Sequence, residues 1–160
     1  MEQVATHILR PVQEEDESLL LAIYSSARAD EMGLVPWDAA TKDVFLRTQF
    51  SAQQKHYRAY FPSATHDLIL AEGQSVGRLY VDRRATEIRI LDITLLTEAR
   101  GRGIGTQILL DLMKEAEHES KSCSIYVESF NRSLGLFQRL GFMKTEESGA
   151  SWLMEWRAGS

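Results

Sequence analysis

The chain has 160 residues, of which 44% are apolar and 26% charged, and its net charge is −5. This composition is typical of one globular domain and argues against a general nucleic-acid binder, which would be basic. A single cysteine excludes an internal disulfide, the four scattered histidines lack metal-ligand spacing, and no apolar run is long enough for a signal peptide or a membrane span. We therefore expect one cytoplasmic domain over residues 1–160, without a metal.

The first part of the chain is predicted to be mainly helical. A short strand, THILRPV, precedes a helix over residues 13–31, whose acidic first turn suits the positive end of a helix dipole. After a break at GLVPWD, a second helical pattern covers residues 39–60.

Strands and helices alternate in the remainder. The expected strands cover residues 68–73, 75–83, 87–97, 123–129 and 150–156, and the expected helices run from about Gly103 to Glu119 and within residues 131–142. The strand–helix–strand order around residues 90–127 implies a parallel pair joined by a right-handed crossover. The class is therefore α/β (α+β) with a mixed sheet.

Three alternating glycines, Gly101, Gly103 and Gly105, open the helix in the stretch ARGRGIGT. A helix N-terminus offers unpaired N–H groups and partial positive charge, and glycine lets a phosphate approach them. Arg100 and Arg102 add candidate charge-assisted contacts. The stretch predicts a pyrophosphate site whose spacing matches neither the P-loop nor the G-x-G-x-x-G dinucleotide loop.

The pattern R-x-x-G-x-G in RGRGIG resembles the acetyl-coenzyme A loop of the GNAT superfamily (Gcn5-related N-acetyltransferases). Downstream, VESFNRSLGLFQRLGF is similar to the family's segment with an asparagine, a short helix and a Gly-Phe ending. The resemblance covers roughly residues 66–157. It implies a bent mixed sheet, splayed at its centre and covered by helices on both faces, with coenzyme A entering the split.

The resemblance also implies how acetyl-CoA is held. The pyrophosphate would lie on the glycine loop, the pantetheine arm would pair with the strand before it, and the short helix would contact the arm from the other side, with the Leu95 amide as the oxyanion donor. The expected cofactor-binding residues are Ile93, Thr94, Leu95, Arg100, Gly101, Arg102, Gly103, Ile104, Gly105, Thr106, Asn131, Ser133 and Phe137.

Asp92 and Glu128 are the candidate catalytic bases, because the amine must lose a proton before it attacks. Asp92 lies within RILDITLL, where several family members carry an acidic residue, and the alternative is a structural carboxylate. Glu128 is expected to face Asp92 across the split, and the alternative is an ordinary residue at a strand end.

Phe137 stands where many family members carry a tyrosine that acts as general acid. That role does not carry over to a phenylalanine. Either the thiolate leaves unaided, or another hydroxyl such as Tyr126 or Tyr80 serves, or catalysis is weak.

The amine pocket is expected mainly from residues 30–60. Trp37, Gln53, Tyr57 and Tyr80 are the candidate substrate-binding residues, and Gln53 and Tyr57 share one helix face at a spacing of four. For each of them a solvated or partly buried polar face is the alternative.

The leading functional hypothesis is an acetyl-CoA-dependent N-acetyltransferase that moves an acetyl group to a primary amine of a small molecule or peptide by direct attack. Phe137 leaves open a non-catalytic acyl-CoA sensor, and the glycine loop leaves open an ATP- or NAD-binding protein, although its spacing argues against that. No nucleic-acid or membrane partner is expected, and a homodimer is possible.

Overall fold

A seven-stranded mixed sheet organises the chain. The computed structural model describes residues 6–159, and the strand order is β1-β2-β3-β4-β5-β7-β6. The strands are β1 (Ile8–Pro11), β2 (Thr65–Ala71), β3 (Gln74–Arg83), β4 (Glu87–Leu95), β5 (Ser122–Glu128), β6 (Met143–Ser148) and β7 (Ser151–Trp156). Neighbouring strands are antiparallel except for the central pair, β4 and β5, which is parallel as predicted.

Helices cover both faces of this sheet, which confirms the predicted class. They are α1 (Glu17–Ala27), α2 (Ala29–Gly33), α3 (Ala39–Tyr60), α4 (Ile104–His118) and α5 (Leu134–Arg139). Leu68 of β2 packs in a core with residues of α1 and α3. Ile69, which points to the opposite face, packs in the larger core with residues of α4 and α5.

The helix predicted over residues 13–31 is wrong as one continuous element. Residues 14–16 form a 3-10 turn, α1 ends at Ala27, and α2 begins at Ala29. Arg28 has φ −106° and ψ 6°, which lies outside helical geometry and breaks the run. The helix predicted over residues 39–60 is confirmed; the Asp38 carboxylate caps it by accepting the Thr41 N–H at 2.8 Å.

Strand β6 was missed by the sequence analysis. Its residues, MKTEES, are all exposed, so they show no alternation of apolar and polar side chains. Its pairing with β7 places it at an edge of the sheet.

The central pair of strands separates along its length, which creates the split that the resemblance implied. β4 and β5 pair only from Glu87 with Ser122 to Ile90 with Ile125. Immediately afterwards β4 has a bulge, because Tyr80 pairs with Asp92 while Val81 pairs with Ile90, which leaves Leu91 as an extra residue. The second halves of β4 and β5 therefore face a gap.

Glycine in β3 allows the sheet to close tightly on the other side of β4. A Cβ on Gly77 would collide with the Thr94 carbonyl oxygen and lie 2.9 Å from Leu95 Cδ2. The second half of β4 is thus held against β3 while its opposite edge stays open. No helix within residues 6–159 is long and apolar enough to cross a membrane.

Candidate active site

A cavity of about 560 Å³ occupies the split between β4 and β5. Residues 91–95 of β4 and 125–128 of β5 line it, together with the loop before α4 and parts of α1, α2 and α5. Most of the residues predicted as site residues line this cavity: Gln53, Asp92, Ile93, Thr94, Leu95, Arg100, Gly101, Gly103, Ile104, Gly105, Thr106, Glu128, Asn131, Ser133 and Phe137.

The glycine loop presents a row of unpaired amides. Gly101 and Gly103 have φ values of 73° and 83°, a conformation that favours glycine, and α4 begins directly after Gly103. Within residues 6–159, no amide N–H of residues 101–106 donates a hydrogen bond, and the next one, from Gln107, bonds to the Gly103 carbonyl at 3.0 Å. Six donors and the positive end of the α4 dipole are therefore available to an anion, and a pyrophosphate fits this arrangement.

The two arginines of the loop have different surroundings. Arg100 Nε donates to the Leu95 carbonyl at 3.1 Å, which ties the loop to the end of β4. Arg102 lies outside the cavity lining and pairs on the surface with Glu72 at 3.2 Å. Such an exposed pair contributes little free energy, so Glu72 competes only weakly with an incoming phosphate.

The backbone of β4 offers hydrogen-bonding groups to the split. The Leu96 N–H bonds to the Val76 carbonyl at 2.8 Å. Because bonded residues alternate in an antiparallel pair, Thr94 also faces β3, while the peptide groups of Ile93 and Leu95 face away from it. These two residues can therefore pair with an extended amide-containing ligand.

Asp92 is held on both of its carboxylate oxygens. Arg78 Nε donates to Oδ2 at 2.5 Å, and Thr94 Oγ1 donates to Oδ1 at 3.0 Å. Arg78 is only 1% exposed, and its Nη2 donates to Gln53 Oε1 at 2.5 Å. Asp92 is thus the counter-ion of a buried arginine, which favours the structural alternative stated for it above.

Glu128 has the opposite environment. Its side chain is exposed on the cavity wall, and its carboxylate makes no hydrogen bond or ion pair with any residue that the structure describes. Its backbone carbonyl accepts the Asn131 N–H at 2.9 Å, which turns the chain toward α5. The carboxylate is therefore free to accept a proton from a ligand or a water molecule.

The segment that leads into α5 forms the facing wall. Asn131 Oδ1 accepts both the Ser133 N–H, at 2.9 Å, and the Ser133 hydroxyl, at 2.8 Å. Phe137 is 2% exposed and packs edge-on against Phe142, with 5.4 Å between ring centroids. Phe137 thus belongs both to the core and to the inner wall of the cavity.

The predicted substrate-binding residues are not gathered in one place. Gln53 lines the cavity, whereas Trp37, Tyr57 and Tyr80 do not belong to its lining. Trp37 packs edge-on against Phe45 with 5.1 Å between centroids. Their role in substrate binding stays a prediction, and the positions of Tyr57 and Tyr80 suggest structural roles instead.

Tyr57 supports the bulge in β4. Its hydroxyl donates to the Leu91 carbonyl at 3.1 Å. Burial raises the pKa of Tyr57 to about 12, and the charge of Asp92 adds to this effect. The hydroxyl therefore stays protonated and keeps its role as a donor.

Tyr80 lies beside a second cavity of about 310 Å³. Its ring stacks on His66 with 4.1 Å between centroids. Burial, assisted by the charge of Arg78, lowers the pKa of His66 to about 4, so this imidazole is neutral at physiological pH.

Several cavity residues were missed by the sequence analysis. Arg78 had a detectable signal, since it is the charged residue in the otherwise apolar run VGRLYV. Tyr24, Arg28 and Glu31 had none; they line the cavity around the break between α1 and α2, which was not predicted. No group of three or more His, Cys, Asp or Glu residues within positions 6–159 has an arrangement that holds a metal ion.

The comparison with protein families identifies the class. A family model described as an acetyltransferase (GNAT) domain matches residues 23–151. The chain therefore belongs to the GNAT acetyltransferase family, which confirms both the resemblance and the predicted class of enzyme, an acetyltransferase. A search of curated proteins gave no match.

Solved structures share the fold over nearly the whole chain. PaiA N-acetyltransferase from Thermoplasma acidophilum, in complex with coenzyme A, is 18% identical with a TM-score of 0.73, covering 95% of this chain and 99% of that one. An acetyltransferase from Thermus thermophilus is 19% identical with a TM-score of 0.69, covering 96% and 98%. Arabidopsis thaliana Naa50, in complex with the bisubstrate analogue CoA-Ac-MVNAL, is 14% identical with a TM-score of 0.63, covering 94% and 97%. At these identities the likeness establishes the fold.

Proposed function

We propose that this protein is an N-acetyltransferase that moves the acetyl group of acetyl-CoA to a primary amine by direct attack. The observation that carries the proposal is the lining of one cavity, which combines the five unpaired amides of Gly101 and residues 103–106, an open strand edge and the unpaired carboxylate of Glu128. Membership of the GNAT family supports the acetyl transfer. The coenzyme A in the PaiA structure and the bisubstrate analogue in the Naa50 structure agree with the predicted donor.

The residues of the split fit the parts of acetyl-CoA. The amides of residues 101–106 hold the pyrophosphate, and the peptide groups of Ile93 hold the pantetheine arm, while the Leu95 N–H is left for the thioester carbonyl. Asn131 keeps its side-chain N–H groups for the arm, because its oxygen accepts both hydrogen bonds from Ser133. Bound in this way, acetyl-CoA supplies a thioester carbonyl between the two walls of the split.

Glu128 is the proposed base, with a water molecule as the relay. Through this water it takes one proton from the ammonium group of the acceptor. The neutral nitrogen then bonds to the thioester carbon and gives a second proton to solvent while the carbon–sulfur bond breaks, which leaves a neutral amide and a thiolate. The Leu95 amide donates to the carbonyl oxygen as negative charge develops there. Phe137 offers no proton, so the sulfur leaves as a thiolate and takes its proton from solvent or from the Tyr126 hydroxyl on the cavity wall.

Asp92 has a positioning role in this proposal. Its carboxylate is already occupied by Arg78 and Thr94, so deprotonating an amine would require it to loosen an ion pair with a buried guanidinium. By holding Arg78 and Gln53 in place, it shapes the wall on which the acceptor rests.

The competing hypotheses predict different ligands and different turnover. An N-acetyltransferase is stabilised by acetyl-CoA in thermal unfolding more than by ATP or NAD, and it releases thiol when amines are added. An acyl-CoA sensor shows the same stabilisation without thiol release. A nucleotide-binding protein is stabilised most by ATP or NAD. Either of the last two results contradicts the proposal.

We further propose a single N-acyltransferase-like domain that acts in the cytoplasm on a small-molecule or peptide amine. One sheet runs from β1 to β7, which supports a single domain. Cys123 is buried, and burial raises the pKa of its thiol to about 12, which suits a cysteine that stays reduced. The possible homodimer stays a prediction.

A further inference from the structure

Arg28 lines the cavity, and its guanidinium has no hydrogen-bond or ion-pair partner among the described residues. It lies at the break between α1 and α2, is half-buried, and lines the cavity. Its Nε is shielded from solvent and has no hydrogen-bond partner. None of its guanidinium nitrogens makes a hydrogen bond or ion pair with any residue in the described range 6–159. Because a half-buried guanidinium without a counter-ion is unfavourable, this position is suited to an anionic ligand.

The other cavity arginines differ in having a partner for their charge or in being exposed. Arg78 has one buried nitrogen without a hydrogen bond, Nη1, as Arg28 has, but its charge is balanced by Asp92. Arg100 donates to the Leu95 carbonyl, and Arg132 pairs with Asp30 at 3.0 Å. Arg139 also lacks a hydrogen-bond or ion-pair partner among the described residues, but it is exposed at the end of α5 and therefore accessible to solvent. Arg28 thus combines partial burial with a lack of partners.

An aromatic platform fixes the orientation of Arg28. Its guanidinium carbon lies 4.2 Å from the centroid of the Tyr24 ring, and this ring is 6% exposed and packs against Phe50 with 5.6 Å between centroids. The ring covers one side of the guanidinium, and the Nη groups, which unlike Nε are not fully shielded, keep their N–H groups for a ligand. A planar fork held in this way matches the two oxygens of a carboxylate.

Arg28 lies on the side of the cavity that holds Gln53 and Arg78. The Tyr24 hydroxyl, on the ring beneath Arg28, donates to Gln49 Oε1 at 3.4 Å, and Gln49 lies about one helical turn before Gln53 on α3. Because Gln53 Oε1 accepts a hydrogen bond from Arg78, Arg28 is connected through Tyr24 and α3 to the Arg78–Asp92 pair. The phosphates of acetyl-CoA have their own donors at residues 101–106.

Two carboxylates that line the same cavity accompany Arg28. Glu31, on α2, and Glu128, on β5, both line the cavity and are exposed, and neither has an ion-pair partner within the described residues. They suit the ammonium group of an incoming amine, while Arg28 suits a negative group on the same molecule.

We propose that the acceptor is an amine that also carries a carboxylate, which the in-plane N–H groups of Arg28 bind. This inference rests on the proposed N-acetyltransferase function and names the substrate class of the same site. The carboxylate of the acceptor binds Arg28, which is held in place by the Tyr24 ring. The amine of the same molecule then reaches the thioester carbon and the base.

Matched pairs of amines test the inference. The panel contains free L-amino acids, β-alanine and 4-aminobutyrate, each beside its carboxamide, which keeps the amine and removes the negative charge. We expect at least one acid to have a kcat/KM about tenfold or more above that of its amide. In Arg28→Gln we expect the KM for that acid to rise about 10- to 100-fold with kcat largely kept, and the kcat/KM for the amide to change little.

Two further variants control the interpretation. Arg28→Lys keeps the charge without the fork and is expected to recover part of the preference for acids. Arg47→Gln removes an exposed arginine on α3 that pairs with Asp43, away from the cavity lining, and it is expected to behave like the wild type. Unchanged melting temperatures in both Arg28 variants show that the fold survives.

The outcomes separate this inference from the function on which it rests. If acids and amides are acetylated equally well, or if Arg28→Gln keeps the preference for acids, the inference is contradicted and the N-acetyltransferase function stands. If the wild type yields no N-acetylated product from any amine of the panel, the proposed function and the inference are both contradicted.

Discussion

At the scale of single residues, the two carboxylates of the split differ in how free they are. Asp92 has partners on both oxygens, and one of them is the buried guanidinium of Arg78. Glu128 has an exposed side chain on the same cavity. Their types and positions were predicted from the sequence, but their environments were not, because Arg78 reaches Asp92 only through the register of β3 with β4.

The account predicts different consequences for the two isosteric amides. Glu128→Gln should lower kcat at neutral pH by roughly 10²- to 10⁴-fold, the usual contribution of a positioned base, and leave acetyl-CoA affinity and the free energy of unfolding near wild type. Asp92→Asn should instead lower the free energy of unfolding by about 1–3 kcal/mol, because it leaves a buried guanidinium without its counter-ion. Steady-state thiol release and urea unfolding measure the two effects. A stable Asp92→Asn variant without turnover, beside a fully active Glu128→Gln, would reverse the assignment.

Phe137→Tyr tests whether the reaction needs a dedicated acid. The ring is almost fully buried against Phe142, so an added hydroxyl without a partner should cost about 1–3 kcal/mol in urea unfolding. A thiolate leaves readily without a donor, so the rate with an accepted amine should change little. A large gain in thiol release across a pH series would indicate a sensor that has lost its acid, and would argue against an active transferase.

At the scale of elements, the sequence predicted the helices and strands whose bounds are set by residues nearby in the chain. The bounds of α3 were predicted because the breaks at GLVPWD and at FPSATHD enclose a helical pattern, and the structure adds a side-chain cap at Asp38. The missed features depend on distant partners: β6 exists through its pairing with β7, and Arg28 leaves helical geometry where it stacks on Tyr24. No short stretch of sequence contains that information.

The N-terminus of α4 is the element that should decide cofactor affinity. Gly105 lies in its first turn without a positive φ, and a Cβ there would meet only Leu95 Cδ1, at 3.5 Å. Gly105→Asp therefore keeps the helix, since an acidic residue suits this end of the dipole, but it places a negative charge beside the proposed pyrophosphate. We expect acetyl-CoA affinity to fall roughly tenfold or more in calorimetry.

The neutral variant Gly105→Asn distinguishes the effect of negative charge on acetyl-CoA affinity from the effect of side-chain volume. It has nearly the same volume as Gly105→Asp and should lose markedly less affinity. Equal losses in the two variants would mean that the side chain blocks the loop sterically, and would remove the support for a phosphate on these amides.

At the scale of the whole molecule, the split in the sheet links the fold to the function. α1 and α3 hold one face, α4 and α5 hold the other, and the central strands separate after Ile90 and Ile125. The sequence contained no signal for the residue at which this pairing ends. The resemblance to the GNAT superfamily implied the split, and the strand register locates it.

The central claim is that the acetyl group is transferred to an amine by direct attack. The ratio of N-acetylated product to released thiol tests this claim most directly. The protein is mixed with acetyl-CoA and an accepted amine, thiol is measured optically, and the acetylated amine is quantified by mass spectrometry. The account predicts one N-acetyl group for each thiol, with both falling together in Glu128→Gln. Thiol release accompanied by free acetate instead of acetylated amine, or acetyl-CoA binding without any thiol release across the amine panel, would contradict it.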